Sequence, residues 1–203
     1  AQRKAISNTA GLAAAWERSA FQMYVGAELV QGKDFLALSD GLATTSGDFD
    51  LAAILQGLAE DFTAAQQVVP VEQGSYPVLF RPVAFEQLVA PLLACLDGGA
   101  VARGISPLAG RLGEAVLAPG FTLIEDGTLA GGFGSRMYDD QGVACRRTAL
   151  FGEGVLAEYL LDLDSAARLG RRPIGTGGMT RPRPNNIIVA PGTVPWRDLL
   201  AGM

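Results

Sequence analysis

The stretch Ala149-Leu150-Phe151-Gly152-Glu153-Gly154-Val155-Leu156-Ala157-Glu158-Tyr159-Leu160 sets two apolar runs on either side of a Gly-Glu-Gly turn. Such a pattern reads as a β-hairpin, because glycine supplies the positive φ that a tight reversal needs. Working outward, residues 121–125, 186–189 and 76–80 read as further strands. Near the start, residues 4–9 read as a strand closed by the turn Ala10-Gly11, and Gln31-Gly32-Lys33-Asp34 joins 16–30 to 35–39 as another hairpin. Two segments have a different period. Leu51, Ile54, Leu55, Leu58, Ala59 and Phe62 recur at helical spacing behind Asp48 or Asp50, either of which can cap a helix. Phe85, Leu88, Val89, Leu92, Leu93 and Leu96 repeat that spacing behind Pro82, with Pro91 inside as a kink or a broken bond and Gly98-Gly99 as the expected end. Antiparallel hairpins and two packed helices without β-α-β alternation predict an α+β fold, antiparallel and β-rich with a few packed helices. Residues 68–74 divide it into units at 1–69 and 70–203.

Composition narrows the function. The 203 residues are 49% apolar and 18% charged, enough to bury a core and too apolar for a disordered chain. A net charge of −5 speaks against a dedicated binder of the nucleic-acid backbone. There is no histidine, which removes imidazole bases, Ser-His and Cys-His couples and every His-ligated metal within these residues. Lys4 and Lys33 are the only lysines. Cys95 and Cys145 form no ligand pair and read as buried reduced thiols, with a disulfide left open until geometry is known. No run approaches the ~20 apolar residues of a spanning helix, and the start lacks a signal pattern, so a cytoplasmic protein without a membrane role is expected. The opening at Ala1 and the helix-like 194–200 just before the end read as a piece of a longer chain.

Glycine-rich Gly175-Thr176-Gly177-Gly178 lacks the Lys-Ser/Thr ending of a phosphate loop and is expected to be a mobile loop. Gly104-Ile105-Ser106-Pro107-Leu108 approaches a serine-nucleophile elbow and fails at its last position. Glu125-Asp126, Asp139-Asp140 and Asp162 with Asp164 are paired carboxylates, which can share a proton or hold a cation. The first pair points to opposite faces if 121–125 is a strand, and Asp139-Asp140-Gln141-Gly142 has turn composition, so a structural role is the simpler reading. Arg168, Arg171, Arg172, Arg181 and Arg183 occupy a stretch with no acid between Asp164 and Asp198, a local positive patch suited to an anion, a peptide carboxylate or a subunit contact, or merely solvated. No aromatic residue interrupts 170–194, which removes the stacking platform of a single-strand nucleic-acid binder.

In order along the chain, Ser7-Asn8-Thr9-Ala10-Gly11-Leu12, Asp50-Leu51-Ala52-Ala53-Ile54, the run 104–114 from Gly104-Ile105-Ser106-Pro107, Thr122-Leu123-Ile124-Glu125-Asp126-Gly127, and Gly134-Ser135 with 138–143 form a series. Gly152-Glu153-Gly154-Val155-Leu156 with Tyr159-Leu160, Ala166-Ala167-Arg168-Leu169-Gly170, Arg183-Pro184-Asn185-Asn186 and Pro191-Gly192 complete it. This ordered set resembles the TldD/PmbA family, the "modulator of DNA gyrase" proteins, whose members form TldD–TldE (PmbA) metalloprotease assemblies. Residues 1–69 resemble the end of the family's middle region and 70–203 the first part of its C-terminal domain.

The resemblance implies a helix bearing HExxxH, where two histidines bind zinc and the glutamate activates water. Counted back from Ser106, those positions fall on Val89, Ala90 and Ala94. The family's third ligand, a cysteine, lies beyond the end of these residues, and neither Cys95 nor Cys145 matches it. The expectation is therefore a TldE/PmbA-like, non-catalytic subunit with no cofactor of its own. Zinc is expected only in a TldD-like partner, with which this chain pairs, or else it forms a homodimer, to process peptides. Candidate binding residues are Arg103, Ser106, Asp139, Asp140, Arg171, Arg172 and Asn185. Two other readings stand beside it: an independent hydrolase using Asp139 and Asp140 with a cation, and a regulatory binder of gyrase, with direct nucleic-acid contact disfavoured by charge.

Overall fold

The structure, a computed structural model, describes residues 1–202. Its elements run β1 (Gln2–Ser7), β2 (Ala13–Arg18), β3 (Phe21–Gln31), β4 (Asp34–Thr44), α1 (Leu51–Ala65), α2 (Pro82–Cys95), α3 (Gly98–Ala102), β5 (Leu123–Asp126), β6 (Arg147–Gly152), β7 (Val155–Leu156), α4 (Leu163–Arg168), β8 (Ile187–Val189) and α5 (Trp196–Ala201). All ladders between β3 and β8 are antiparallel, so the α+β expectation holds. The chain separates into two compact units, one of Ala1–Arg3 with Glu17–Tyr76, the other of Lys4–Trp16 with everything from Pro77 onward.

In the first unit β3 and β4 form a long ribbon whose register brings Gln31 opposite Asp34 across a two-residue turn, with Gly32 at φ 63°. Helix α1 starts where the Asp50 carboxylate accepts the Ala53 amide at 2.9 Å. Its apolar stripe is only partly covered: Leu58 is buried, while Leu51 and Leu55 remain exposed.

In the second unit a four-stranded sheet of order β7-β6-β5-β8 carries the core. Leu96, Leu123, Leu150, Phe151, Leu156, Leu161 and Ile174 are wholly buried in one cluster. The β6–β7 turn has φ 50° at Glu153 and 82° at Gly154, the two positive values of a type I′ reversal, whose twist matches that of the flanking strands. The hairpin was expected to run to Leu160, but β7 stops at Leu156. Beyond it the Ala157 and Glu158 amides turn back to the Leu150 carbonyl. Residues 76–80 form no strand; Pro77 removes one ladder donor.

Pro82 opens α2 as expected, and the helix runs through Pro91. Gly98-Gly99 does not merely end it. The Asp97 carboxylate caps a short new helix, α3, and a side chain on Gly98 would lie 2.7 Å from both the Leu160 carbonyl and the Ser165 hydroxyl. The expected end at Gly98-Gly99 is thus displaced: α2 stops at Cys95, and Gly98 is required for close packing. Helix α4, which sequence periodicity did not reveal, is held by a capping box between Asp162 and Ser165.

Candidate functional site

One face of α2 and the segment 178–184 enclose a cleft of about 510 Å³. Ala90, Leu93, Ala94 and Leu160 supply apolar lining; Asp97, Asp140, Arg181 and Arg183 supply charge. Two further hollows, of about 700 and 360 Å³, adjoin it along the helix. One, toward Phe80, Phe85, Ile187 and Val189, is mainly apolar. The other, toward Arg103, Asp162 and Asp164, is charged.

The cleft wall is fixed by local chemistry. Asp139, only 1% exposed, accepts the amides of Gln141 and Val143 at 2.9 Å through Oδ1 and that of Gly177 at 2.6 Å through Oδ2. The Asp140 amide in turn donates to the Gly177 carbonyl at 3.0 Å. Thr176, fully buried, donates its hydroxyl to the Leu161 carbonyl at 2.9 Å and accepts the Arg183 amide at its own carbonyl at 2.6 Å. A side chain on Gly177 would fall 2.6 Å from Gln141 Oε1 and 2.8 Å from Asp139 Oδ2. Residues 174–178 are buried throughout. The mobile loop expected here is thus a pinned turn, because a carboxylate 38 residues earlier satisfies its backbone.

The arginine stretch divides sharply. Arg168 pairs with Asp164 at 2.8 Å, and Arg171 grips Glu158 with two bonds of 2.9 and 2.7 Å, a contact that raises the basicity of its guanidinium. Arg181 and Arg183 line the cleft, and neither guanidinium makes a hydrogen bond or ion pair with the described residues. Arg172 is exposed outside the cleft. Arg103 lies beside Asp97 at the charged end. Ser106 is away from it, 7% exposed, donating to the Cys95 carbonyl at 2.5 Å and accepting the Leu108 amide at 3.1 Å.

Asp139 and Asp140 do not form a cation site. The first is saturated by backbone amides and the second is paired with Arg136 at 2.9 Å. Among the described residues no group of three or more carboxylate or thiol side chains is placed to hold a metal. The turn chemistry of Asp139 and the ion pair of Asp140 give this acid pair the structural role that its composition suggested.

Asn185 and Asn186 latch the sheet. Glu125 Oε1 accepts from the Asn185 amide at 2.9 Å and its side chain at 2.5 Å, while Arg136 donates to Asn185 Oδ1 at 2.6 Å. Asn186 donates to the Asp126 carbonyl and the Ser135 hydroxyl and accepts the Gly134 amide. Glu125 lies on the buried face with Leu123, and its Oε2 has no partner; neither has the Oγ1 of Thr148, directly across the ladder. Burial pushes the Glu125 carboxyl up to about 7, with Asp126 adding to the rise, against the Asn185 bonds and the Arg136 charge that lower it. Burial works on Asp126 in the same sense, but the Thr128 hydroxyl and amide and the Arg147 guanidinium hold it below the ordinary range. Cys145, a free thiol that donates to the Gly175 carbonyl at 3.2 Å, is pushed by burial to about 11. Cys95 is also free, so no disulfide joins the two.

The family described as PmbA/TldA metallopeptidase C-terminal domain matches residues 73–203. The chain belongs to this family. A metalloprotease of Methanocaldococcus jannaschii is 29% identical over 137 residues, 64% of this chain and 30% of the relative. The metalloprotease PmbA of Escherichia coli O157:H7 is 31% identical over 102 residues, 50% of this chain and 23% of the relative. The fold resembles that of a Thermotoga maritima protein described as a candidate modulator of a DNA gyrase, at a TM-score of 0.87 and 27% identity over 98% of this chain and 46% of that one. TldE from Thermococcus kodakarensis shares the fold at a TM-score of 0.88 and 23% identity, covering 98% and 47%. The chain thus spans less than half of these structures and 30% or less of the two curated relatives.

PmbA/TldA membership raises the question of zinc, and the residues do not fit it. Val89 is 8% exposed within the core, and Ala90 and Ala94 present methyl groups to the cleft. None offers a lone pair, and the sequence has no histidine to replace them. No helix among the described residues is long and apolar enough to cross a membrane.

Proposed function

We propose that this PmbA/TldA-family chain is a catalytically silent, TldE/PmbA-like subunit that assembles with a zinc-bearing TldD-like subunit, or with a second copy of itself, in a cytoplasmic complex that processes peptides. The observation that carries the reading is the α2 face: in a metallopeptidase family, Val89, Ala90 and Ala94 stand where HExxxH is expected, with no donor atom among their side chains. That face still borders a cleft with an apolar floor and charged rim, which suits shaping a substrate channel better than cleaving within it. Metal analysis and peptide-cleavage assays on the purified 203-residue chain test the reading. Zinc far below one per chain and no cleavage without a TldD-like subunit are expected. Stoichiometric zinc bound by this chain, or cleavage by it alone, overturns the proposal.

A further inference from the structure

The cleft between α2 and 178–184 has an unusual distribution of satisfied and unsatisfied charge. Its acids are committed: Asp140 to Arg136, and Asp97 to the Ala100 amide at 2.9 Å as the cap of α3. Its cations are not. Arg181 and Arg183 are exposed, two residues apart, with Pro182 buried between them, and their guanidiniums have no partner among the described residues. Beside them Ala90, Leu93, Ala94 and Leu160 form an apolar floor, and Met179, 92% exposed, stands on the rim. Holding two long cationic side chains at an apolar cleft makes an anion receptor with an adjoining greasy subsite.

We infer that this cleft binds the C-terminal end of a peptide, the terminal carboxylate held by Arg181 and Arg183 and the last apolar side chain laid over Ala90, Leu93 and Ala94. The inference rests on the peptide-processing reading above for the class of ligand and names the part of the ligand this chain recognises. Charge complementarity selects the occupant: a chain terminus joins an anion to an apolar side chain within one residue, and the two arginines and the apolar floor line the same cleft. Planar guanidinium matches carboxylate in a two-bond geometry, and the ion pair of Asp140 with Arg136 leaves Arg181 and Arg183 as the unpaired cations lining the cleft. The pinned turn makes the receptor preformed, since Asp139 and Thr176 fix the backbone that carries both arginines, and binding then loses less to ordering.

Fluorescence anisotropy with a fluorescein-labelled decapeptide ending in Leu, as the free acid and as the C-terminal amide, tests this on the 203-residue chain. The acid is expected to bind about tenfold or more tightly than the amide at low salt. A double variant, Arg181→Ala with Arg183→Ala, is expected to erase that difference by weakening the acid alone. Ala90→Phe, at an exposed helix position, is expected to weaken both forms by filling the floor. Inorganic phosphate at matched ionic strength is expected not to displace the peptide, because it lacks the apolar group. Equal binding of acid and amide, an unchanged double variant, displacement by phosphate, or no peptide binding at all overturns the inference. Zinc content and partner-dependent cleavage are read on the same preparations: a zinc-free chain that supports its partner but ignores the carboxylate sinks this inference and leaves the silent-subunit reading intact.

Discussion

The Asp139 carboxylate accepts the Gly177 amide at 2.6 Å across 38 residues of sequence, and its other oxygen closes its own turn through Gln141 and Val143. One side chain thereby ties the turn at 139–142 to the turn that bears Arg181 and Arg183. A buried carboxylate with three amide donors is a strong, directional joint, because each donor would otherwise be left without water or partner.

Asp139→Ala is expected to cost about 2–4 kcal/mol of stability in urea unfolding, since it removes bonds to a charged acceptor and strands buried amides. Asp139→Asn keeps one acceptor oxygen and is expected to cost less. A loss below about 0.5 kcal/mol for the alanine variant would show the joint to be redundant.

Glu125 gives the fold a pH dependence of defined sign. Its folded value is about 7 against an ordinary 4.5, so between those values the native chain holds a proton that the unfolded chain has released. The stability from this group is fully present below about 4.5 and is lost as pH rises through about 7, a decline on the order of 3 kcal/mol at most. Glu125→Gln, which keeps an acceptor for Asn185 and cannot ionise, is expected to flatten that slope and be the more stable form at pH 8. Urea midpoints of both proteins from pH 4.5 to 8 check this; parallel slopes would exclude Glu125 as the source.

The β6–β7 turn predicts opposite effects at adjacent positions. Glu153 adopts φ 50°, where asparagine or glycine is at less cost, so Glu153→Asn is expected to raise stability by about 0.5–1 kcal/mol. Gly154 adopts φ 82°, and a side chain there would meet the Leu117 and Ala118 carbonyls at 2.5 and 2.6 Å, so Gly154→Ala is expected to lower it by about 2 kcal/mol or more. Thermal melts of the two variants measure the contrast.

Tyr159, 2% exposed, donates its hydroxyl to the Leu108 carbonyl at 2.6 Å. Tyr159→Phe keeps the ring's packing and leaves that carbonyl without its donor, so a loss of about 1–2 kcal/mol is expected in the same urea assay.

What the sequence revealed follows from how local each determinant is. The turn residues Gly32 and Glu153-Gly154, the cap Asp50 and the helix-opening Pro82 act on their own neighbours, and the turns and longer helices lie where those residues predict. Helices α3 and α4 were missed because each is too short for periodicity; the signals that could have found them were Asp97 before Ala100 and Asp162 before Ser165. The burial of Gly175-Thr176-Gly177-Gly178 was hidden because its partners are Asp139, Gln141 and Leu161. The candidate site was visible only in outline. Five arginines in an acid-free stretch form an evident patch, but which are neutralised depends on Glu158 and Asp164 coming alongside Arg171 and Arg168, leaving Arg181 and Arg183 to the cleft. Glu125 gave no sign of its burial beyond its place in a strand, where alternation puts it on the Leu123 face.

The thiol of Cys145 carries a practical corollary. With its proton held to about pH 11, on the order of one molecule in ten thousand is thiolate at neutrality. Maleimides and oxidised glutathione should therefore leave this sulfur untouched while the chain is folded, and its alkylation in a timed labelling experiment would serve as a clock for opening of the buried turn around Gly175.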